Sequence, residues 1–496
     1  MRWGVLAGLL PCLLPSIAIA ETLQVGPDKP YTRVSDALAA AAPGDVIEVD
    51  AGEYIDDVST ITTGDLTIRG VGETRSHLRA TQPLFNDKGI FAIELNTGPI
   101  VVENIEFSGA FINAAGDNGA GIRMQGESLV VRNCYFHDNQ NGILSGGTPD
   151  HTVRIENSEF AYNGNPGSGQ EHNVYISGSV ARFDFIGNYS HHTFSGHTLK
   201  TRARENHIFY NRFGDEDDGS SSYLIDISNG GLTYIVGNQI QQGPTAENTG
   251  TLVRYNAEGV SGPENRLFVV NNTLVNDNGS NPAFVRMNNG ADGTAVFRNN
   301  LMVGNGTPFI DETEAMAITD EGNLLTDEPN FVDRAAYDYT LVDGSPAIDA
   351  GVDPGSDGAM SLEPTEVYAH PAQTVTRFDD LPLDIGAHAQ GFVDPGTTGG
   401  ETSGGDESTG DAPETSGDGT TGDAGDDTTG SSAGESASAD SADSSEPTPG
   451  GGNVETDGDT DGTAADGGSS GCRVGPPAPI SAVLVLLTLF GLRRRC

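Results

Sequence analysis

Between residues 21 and 390 apolar and polar residues alternate in short runs, and the intervals between runs are rich in Gly and Asn. Alternation of period two marks a β-strand with one face buried, and Gly-rich intervals mark turns. One phrase recurs: alternating apolar residues, an Asn, then another apolar residue two or three positions on. It reads VVENIEF at Asn104, VVRNCYF at Asn133, RIENSEF at Asn157, FIGNYSH at Asn188, IFYNRF at Asn211, YIVGNQI at Asn238, FVVNNTL at Asn271, VFRNNLM at Asn299 and EGNLL at Asn323. These nine asparagines lie 23 to 33 residues apart, the length of one solenoid coil with loops of variable size. An Asn at a recurring bend can stack in a ladder that shares amide hydrogen bonds from coil to coil. The pattern predicts an all-β chain folded as a right-handed parallel β-helix, a single-stranded solenoid; a sandwich or propeller does not repeat one Asn at single-coil spacing.

The ends of this body fit the same reading. Tyr31 to Ala42 is Ala-rich, amphipathic and closed by Pro43-Gly44, which predicts a helical cap over a strand edge that would otherwise be unpaired. With the following DVIEVDAGEY it resembles the N-terminal cap and first coil of β-helix proteins. LVDGSPAIDAG (Leu341 to Gly351) and LDIGAHA (Leu383 to Ala389) resemble the closing segment of bacterial right-handed β-helix proteins.

Composition divides the chain into four parts. Residues 1–20 carry a basic start, an apolar stretch and Ala18-Ile19-Ala20, the pattern of a signal peptide cleaved after Ala20. Residues 21–390 are the β-helix. Residues 391–470 hold nineteen acidic residues and no Lys or Arg in a Gly, Ser and Thr background, a composition expected to stay disordered and act as a spacer. Residues 471–496 contain Gly471-Cys472, an apolar run and Arg493-Arg494-Arg495. This tail resembles the C-terminal sorting tails of myxobacterial surface proteins, which implies processing or anchoring at Cys472 and a chain secreted and held at the bacterial cell surface. Membrane association is expected through this tail alone, and the body is expected to be monomeric. Cys134 is the one cysteine of the body and reads as a packed small side chain. The body carries 52 acidic and 20 basic residues, a net of −32, which argues against a nucleic-acid partner.

Between the Asn bends lies a second set of strands. It runs GIRM, GILS, HNVYIS, GHTLKTR, SYLIDIS, TLVRYN and AFVRMN, with inward residues at Ile122, Ile143, Val174, Leu199, Ile225, Val253 and Val285. Alternation then points the next residue of each strand outward, and stacked coils turn those positions into one column: Arg123, Leu144, Tyr175, Lys200, Asp226, Arg254 and Arg286. An outward column before it collects His172, His197 and Tyr223. One after it collects Ser177, Arg202, Ser228, Asn256 and Asn288. The body has three lysines, and only Lys200 falls in this groove. The plain structural alternative is an ion pair between Lys200 and Asp226 on neighbouring coils, with the arginines offsetting an acidic surface.

The stretch from His172 to Gly231, with HNVYISG, NYSHHTFSGHTLKTRARENHIFYNRF and SSYLIDISNGG, resembles the central region of the pectate-lyase-like β-helix superfamily. Its Lys-bearing coil is similar to that of alginate lyases and chondroitinase B-like lyases. The resemblance implies an acidic polysaccharide partner, with Lys200 taking the proton α to a uronate carboxylate and Arg254 in the charge-stabilising role, although Arg254 lies two coils away. Tyr223 and His197 are candidates to protonate the leaving oxygen. His172, Tyr175, Arg202, Asp226, Asn256, Arg286 and Asn288 are candidate substrate contacts. A glycan-binding or adhesive surface protein that performs no chemistry is the alternative. A hydrolase is disfavoured because only Asp226 supplies a carboxylate in the column. No metal site is expected: His191-His192 with His197 lacks zinc-like spacing. Calcium stays an option, through Asp215, Asp217 and Asp218 of GDEDDG or as the neutraliser of a bound carboxylate in the lyase resemblance, and no other cofactor is expected.

Overall fold

The computed structural model describes residues 20–395, apart from 114–118, 147–148, 168, 261, 289 and 379–381. Residues 1–19 of the expected signal peptide, the expected spacer beyond residue 395 and the tail with Cys472 lie outside the described residues. The body is a right-handed parallel β-solenoid of about 11 turns with almost no helix. A typical coil has three strands, as in His197–Thr201, Glu205–Phe209 and Arg212–Gly214. The first strands stack into a ten-stranded parallel sheet from Ser59–Ile61 to Thr307–Asp311, and the other two sets form a second sheet of 21 strands.

The cap is shorter than the amphipathic stretch that predicts it. A helix spans Val34–Ala40 and buries Val34, Ala37 and Leu38. Its first turn is satisfied from the next coil, where the buried Asp57 carboxylate accepts from the backbone N–H groups of Val34 (2.6 Å) and Ser35 (3.1 Å). That carboxylate pairs orphan donors at the positive end of the helix, which fixes where the helix begins. Inside the coils, like residues stack on like. Phe107, Phe136 and Phe160 lie in a column with ring centroids 4.9 Å apart at both steps.

The asparagine repeat proves to be two adjacent positions. The buried amide ladder runs through Asn188, Asn211, Asn238, Asn272, Asn300 and Asn323; each Oδ1 accepts the backbone N–H of the coil before, as Asn238 does from Asn211 (2.9 Å). The expected members Asn271 and Asn299 sit one residue earlier, as do Asn104, Asn133 and Asn157. All five have positive φ, between 50° and 55°. Gly187, Tyr210, Gly237 and Gly322 take that place in the other coils. The bend needs one left-handed residue, which Asn and Gly tolerate, and the next residue then points inward. Ser158 fills the inward place after Asn157, and its Oγ accepts from Cys134 N (3.1 Å). Cys134 fills that place one coil earlier, fully buried, with its thiol pushed up to about 12 by burial.

The C-terminal segments cover the flank of the solenoid. Leu341, Ala347 and Ile385 pack on Val275, Leu301 and Val303, and Asn271 Nδ2 donates to the carbonyl of Asp384 (3.0 Å). The motifs that resemble a closing segment thus lie along several coils, on the outside of the Asn bends.

Candidate functional site

The parallel register brings the expected column together. Arg123 pairs with Leu144, Leu144 with Tyr175, Tyr175 with Lys200, Lys200 with Asp226, Asp226 with Arg254 and Arg254 with Arg286. Adjacent strands lie about 4.8 Å apart, so each side chain reaches both neighbours.

His172, His197 and Tyr223 stand three positions before this column, where strict alternation would turn them inward. They reach the groove because two consecutive residues after each of them point in: Leu224 and Ile225, like Leu252 and Val253 or Phe284 and Val285, both join the core. The strand turns at the corner of the coil, so its first residue escapes the alternation.

Two clusters form the groove floor. In the first, His197 Nε2 lies 3.4 Å from Asp226 Oδ2, and Ser228 Oγ donates to the same oxygen (2.8 Å). His172 packs edge-on to His197 with centroids 4.7 Å apart, and its Nδ1 accepts from His197 N (3.1 Å). Burial pushes both imidazoles below 6.5, His172 far below it, so both are neutral at pH 7. Burial works against ionisation of Asp226, but His197, Lys200 and Arg254 outweigh it and hold the carboxyl at about 2. Tyr223 stacks edge-on with His197 (5.1 Å), and the Arg254 guanidinium sits 5.0 Å from the Tyr223 ring centre. Burial, with Asp226 assisting and Arg254 opposing, raises the Tyr223 phenol, which keeps its proton at neutral pH.

In the second cluster Lys200 is 4% exposed, and its Nζ lies 3.4 Å from Glu258 Oε1. Arg202 Nε donates to Glu258 Oε2 (2.8 Å). The Arg202 guanidinium also donates to the Tyr175 hydroxyl and stands 5.2 Å from the Tyr175 ring centre. Burial disfavours the Glu258 carboxylate, yet Arg202 and Lys200 lower it on balance. The expected Lys200–Asp226 ion pair is therefore not formed: Lys200 pairs with Glu258, and Asp226 faces the neutral His197 imidazole. Glu258 was not legible in the strand pattern, since it lies on the turn after Tyr255, and nothing in alternation aims a turn residue two coils back.

Other candidates are engaged elsewhere. Arg286 pairs with Glu312 and donates to the carbonyl of Gly250. Asn256, with φ 53°, accepts from Asn288 N (2.9 Å), so these two stack as a bend of the solenoid. The GDEDDG carboxylates diverge. Asp215 is buried, accepts from Ser221 N and Gly243 N, and is raised to about 7 by burial; Asp217 accepts from Tyr337; Asp218 faces His192. They do not gather around one point as a calcium site requires.

Asp226 makes the groove acid-sensitive. Its folded pKa of about 2 lies below the ordinary 3.8, so its contribution is complete above 3.8 and is lost as pH falls from there towards 2, a loss of about 2 kcal/mol. His197, depressed below 6.5, acts in the same direction as pH drops below that value. Thermal unfolding followed from pH 7 to 2.5 is expected to show a steeper acid decline in the native protein than in Asp226→Asn; equal slopes below pH 4 would contradict this.

No protein-family model matches the chain, and no curated protein sequence matches it. Among solved structures it is similar to pectate lyase Pel9A, at 13% identity over 76% of this chain and 98% of that one, with a TM-score of 0.49. It is also similar to the PL6 family alginate lyase AlyGC, at 14% identity over 71% of this chain and 60% of that one, TM-score 0.31. A third is the pectin methylesterase of Aspergillus niger, at 14% identity over 62% of this chain and 87% of that one, TM-score 0.30. Likeness at this level transfers no residue and no reaction; the solenoid rests on its own strand register.

Proposed function

We propose that this is a secreted protein tethered at the cell surface, whose groove binds an acidic polysaccharide and cleaves it by β-elimination. One observation carries the reading: the Glu258 carboxylate sits on Lys200 and Arg202, so these two cations are spaced to hold one carboxylate. A uronate group entering the groove would take that place, with Tyr175 and Tyr223 offering ring faces to the sugars.

The difficult step is removal of the weakly acidic C–H beside the uronate carboxylate. Lys200, released from Glu258 and in its neutral amine form, takes that proton. Arg202 and Arg254 stabilise the charge that develops on the carboxylate. The electrons of the broken C–H bond form the new C=C bond as the glycosidic C–O bond breaks, and the Tyr223 phenol gives its proton to the leaving oxygen. His197 and Asp226 support Tyr223 and Lys200 from below.

The second reading, binding without cleavage, is favoured by the Lys200–Glu258 pair itself, which engages the amine with a carboxylate of its own chain. Incubating the secreted chain with alginate, pectate and glycosaminoglycans while following the ultraviolet absorbance of the new double bond decides between them. Cleavage raises absorbance and shortens the chains; saturable binding at constant chain length leaves only the second reading, and neither signal defeats both. Glu258→Gln is expected to tighten polyuronide binding severalfold in calorimetric titration, because it removes the competing carboxylate charge. Weaker binding by this variant would show that Glu258 is not a competitor.

A further inference from the structure

Among the described residues, the strongest convergence of metal-binding side chains lies away from the groove, on the 21-stranded sheet. His77, Glu106 and His137 come from three successive coils, 29 and 31 residues apart, and one donor atom of each falls within 4.8 Å of the others. The register accounts for it: His77 pairs with Glu106, and Ser108 pairs with His137. Both imidazoles converge on a single carboxylate oxygen. His77 Nδ1 lies 3.4 Å from Glu106 Oε1, and His137 Nε2 lies 3.0 Å from it.

The opposite nitrogen of each ring is held from outside. His137 Nδ1 is 2.6 Å from Asp138 Oδ2, and His77 Nε2 is 2.7 Å from Ser108 Oγ. With protons on those outer nitrogens, the lone pairs of His77 Nδ1 and His137 Nε2 both face Glu106. A carboxylate or hydroxyl that orients the far nitrogen of a ligating histidine is the usual outer support of a metal centre. The two histidines also line an open cleft of about 610 Å³, shared with Arg79, Thr81, Gly109 and Asp138, which leaves room for water or a further ligand on their side of Glu106.

We propose that His77 Nδ1, Glu106 and His137 Nε2 bind one first-row transition dication, with Asp138 and Ser108 as positioning residues and an open coordination place facing the cleft. Two imidazoles and a carboxylate suit zinc and its neighbours far better than calcium or magnesium, which take oxygen ligands. The site is independent of the polysaccharide reading, since it lies in the other sheet and shares no residue with the Lys200 groove.

The test uses the whole secreted chain, stripped with a chelator and desalted, and titrated with Zn²⁺ alone by calorimetry and with Co²⁺ by visible absorption. One tight equivalent of Zn²⁺ and a Co²⁺ ligand-field band are expected. Both should vanish in His137→Ala and Glu106→Gln, and Zn²⁺ should bind about 10- to 100-fold more weakly in Asp138→Asn, which keeps all three ligands. Lys200→Ala should retain the full equivalent. Circular dichroism confirms that each variant is folded. Weak, non-stoichiometric uptake that is the same in the native chain and in folded His77→Ala and His137→Ala would assign the metal to the acidic surface and overturn the proposal.

Discussion

Lys200→Ala is expected to lower kcat/KM for polyuronide cleavage by about a thousandfold, in line with the 10²–10⁴ that a positioned general base contributes. On the proposed mechanism the larger part of the loss falls on kcat, with a smaller rise in KM because Lys200 is one of the two cations placed to hold the carboxylate. Arg202 keeps its hold on Tyr175, and Arg254 stays over Tyr223, so part of the proposed recognition of carboxylate and sugar faces survives while the proposed proton acceptor is gone. Lys200→Arg separates charge from basicity: it keeps a cation beside Glu258 but cannot accept a proton at neutral pH, so it is expected to bind polyuronide and remain inactive. Steady-state kinetics on the ultraviolet signal, with binding measured in parallel, checks both variants. Full activity in folded Lys200→Ala would remove Lys200 from the reaction.

Asn238→Ala is expected to cost about 4 kcal/mol of stability. Asn238 Oδ1 accepts from both the backbone N–H and the side chain of Asn211, while its Nδ2 donates to the carbonyls of Ile208 and Val236 and to Asn272 Oδ1. Truncation leaves the Asn211 N–H and at least one carbonyl without a partner where water does not reach, and each such buried group costs about 1–3 kcal/mol. Asn323→Ala, at the last and half-exposed rung, is expected to cost about 1 kcal/mol because solvent replaces the lost bonds. Denaturant midpoints of the two variants against the native chain measure the difference. Equal costs would mean that the ladder does not stabilise by burial, and a larger effect at Asn323 would contradict the hydrogen-bond accounting altogether.

The clustering of the groove side chains is a consequence of solenoid geometry. Each coil delivers one residue to a given column, so a cluster such as His197, Asp226, Lys200 and Arg254 needs no loop to assemble it. On the other sheet His77 and Glu106 share a column, and His137 stands two residues further along the next coil and reaches back to Glu106. Their near-coil spacing is present in the sequence, but single residues 29 and 31 positions apart form no contiguous motif.

By itself the sequence determined the solenoid, its coil length, its helical start and the column from Arg123 to Arg286, because these follow from local periodicity: two residues per strand repeat and one bend per coil. It blurred the ladder by a single residue, taking Asn271 for Asn272 and Asn299 for Asn300, since both the left-handed place and the inward place accept Asn. Only the tertiary structure decided which charges meet. Lys200 turns to Glu258 and not to Asp226, Asp226 turns to His197, and the C-terminal motifs lie along the flank. Those choices depend on side-chain direction at corners and on turns that cross two coils, where neither period two nor residue spacing constrains the chain.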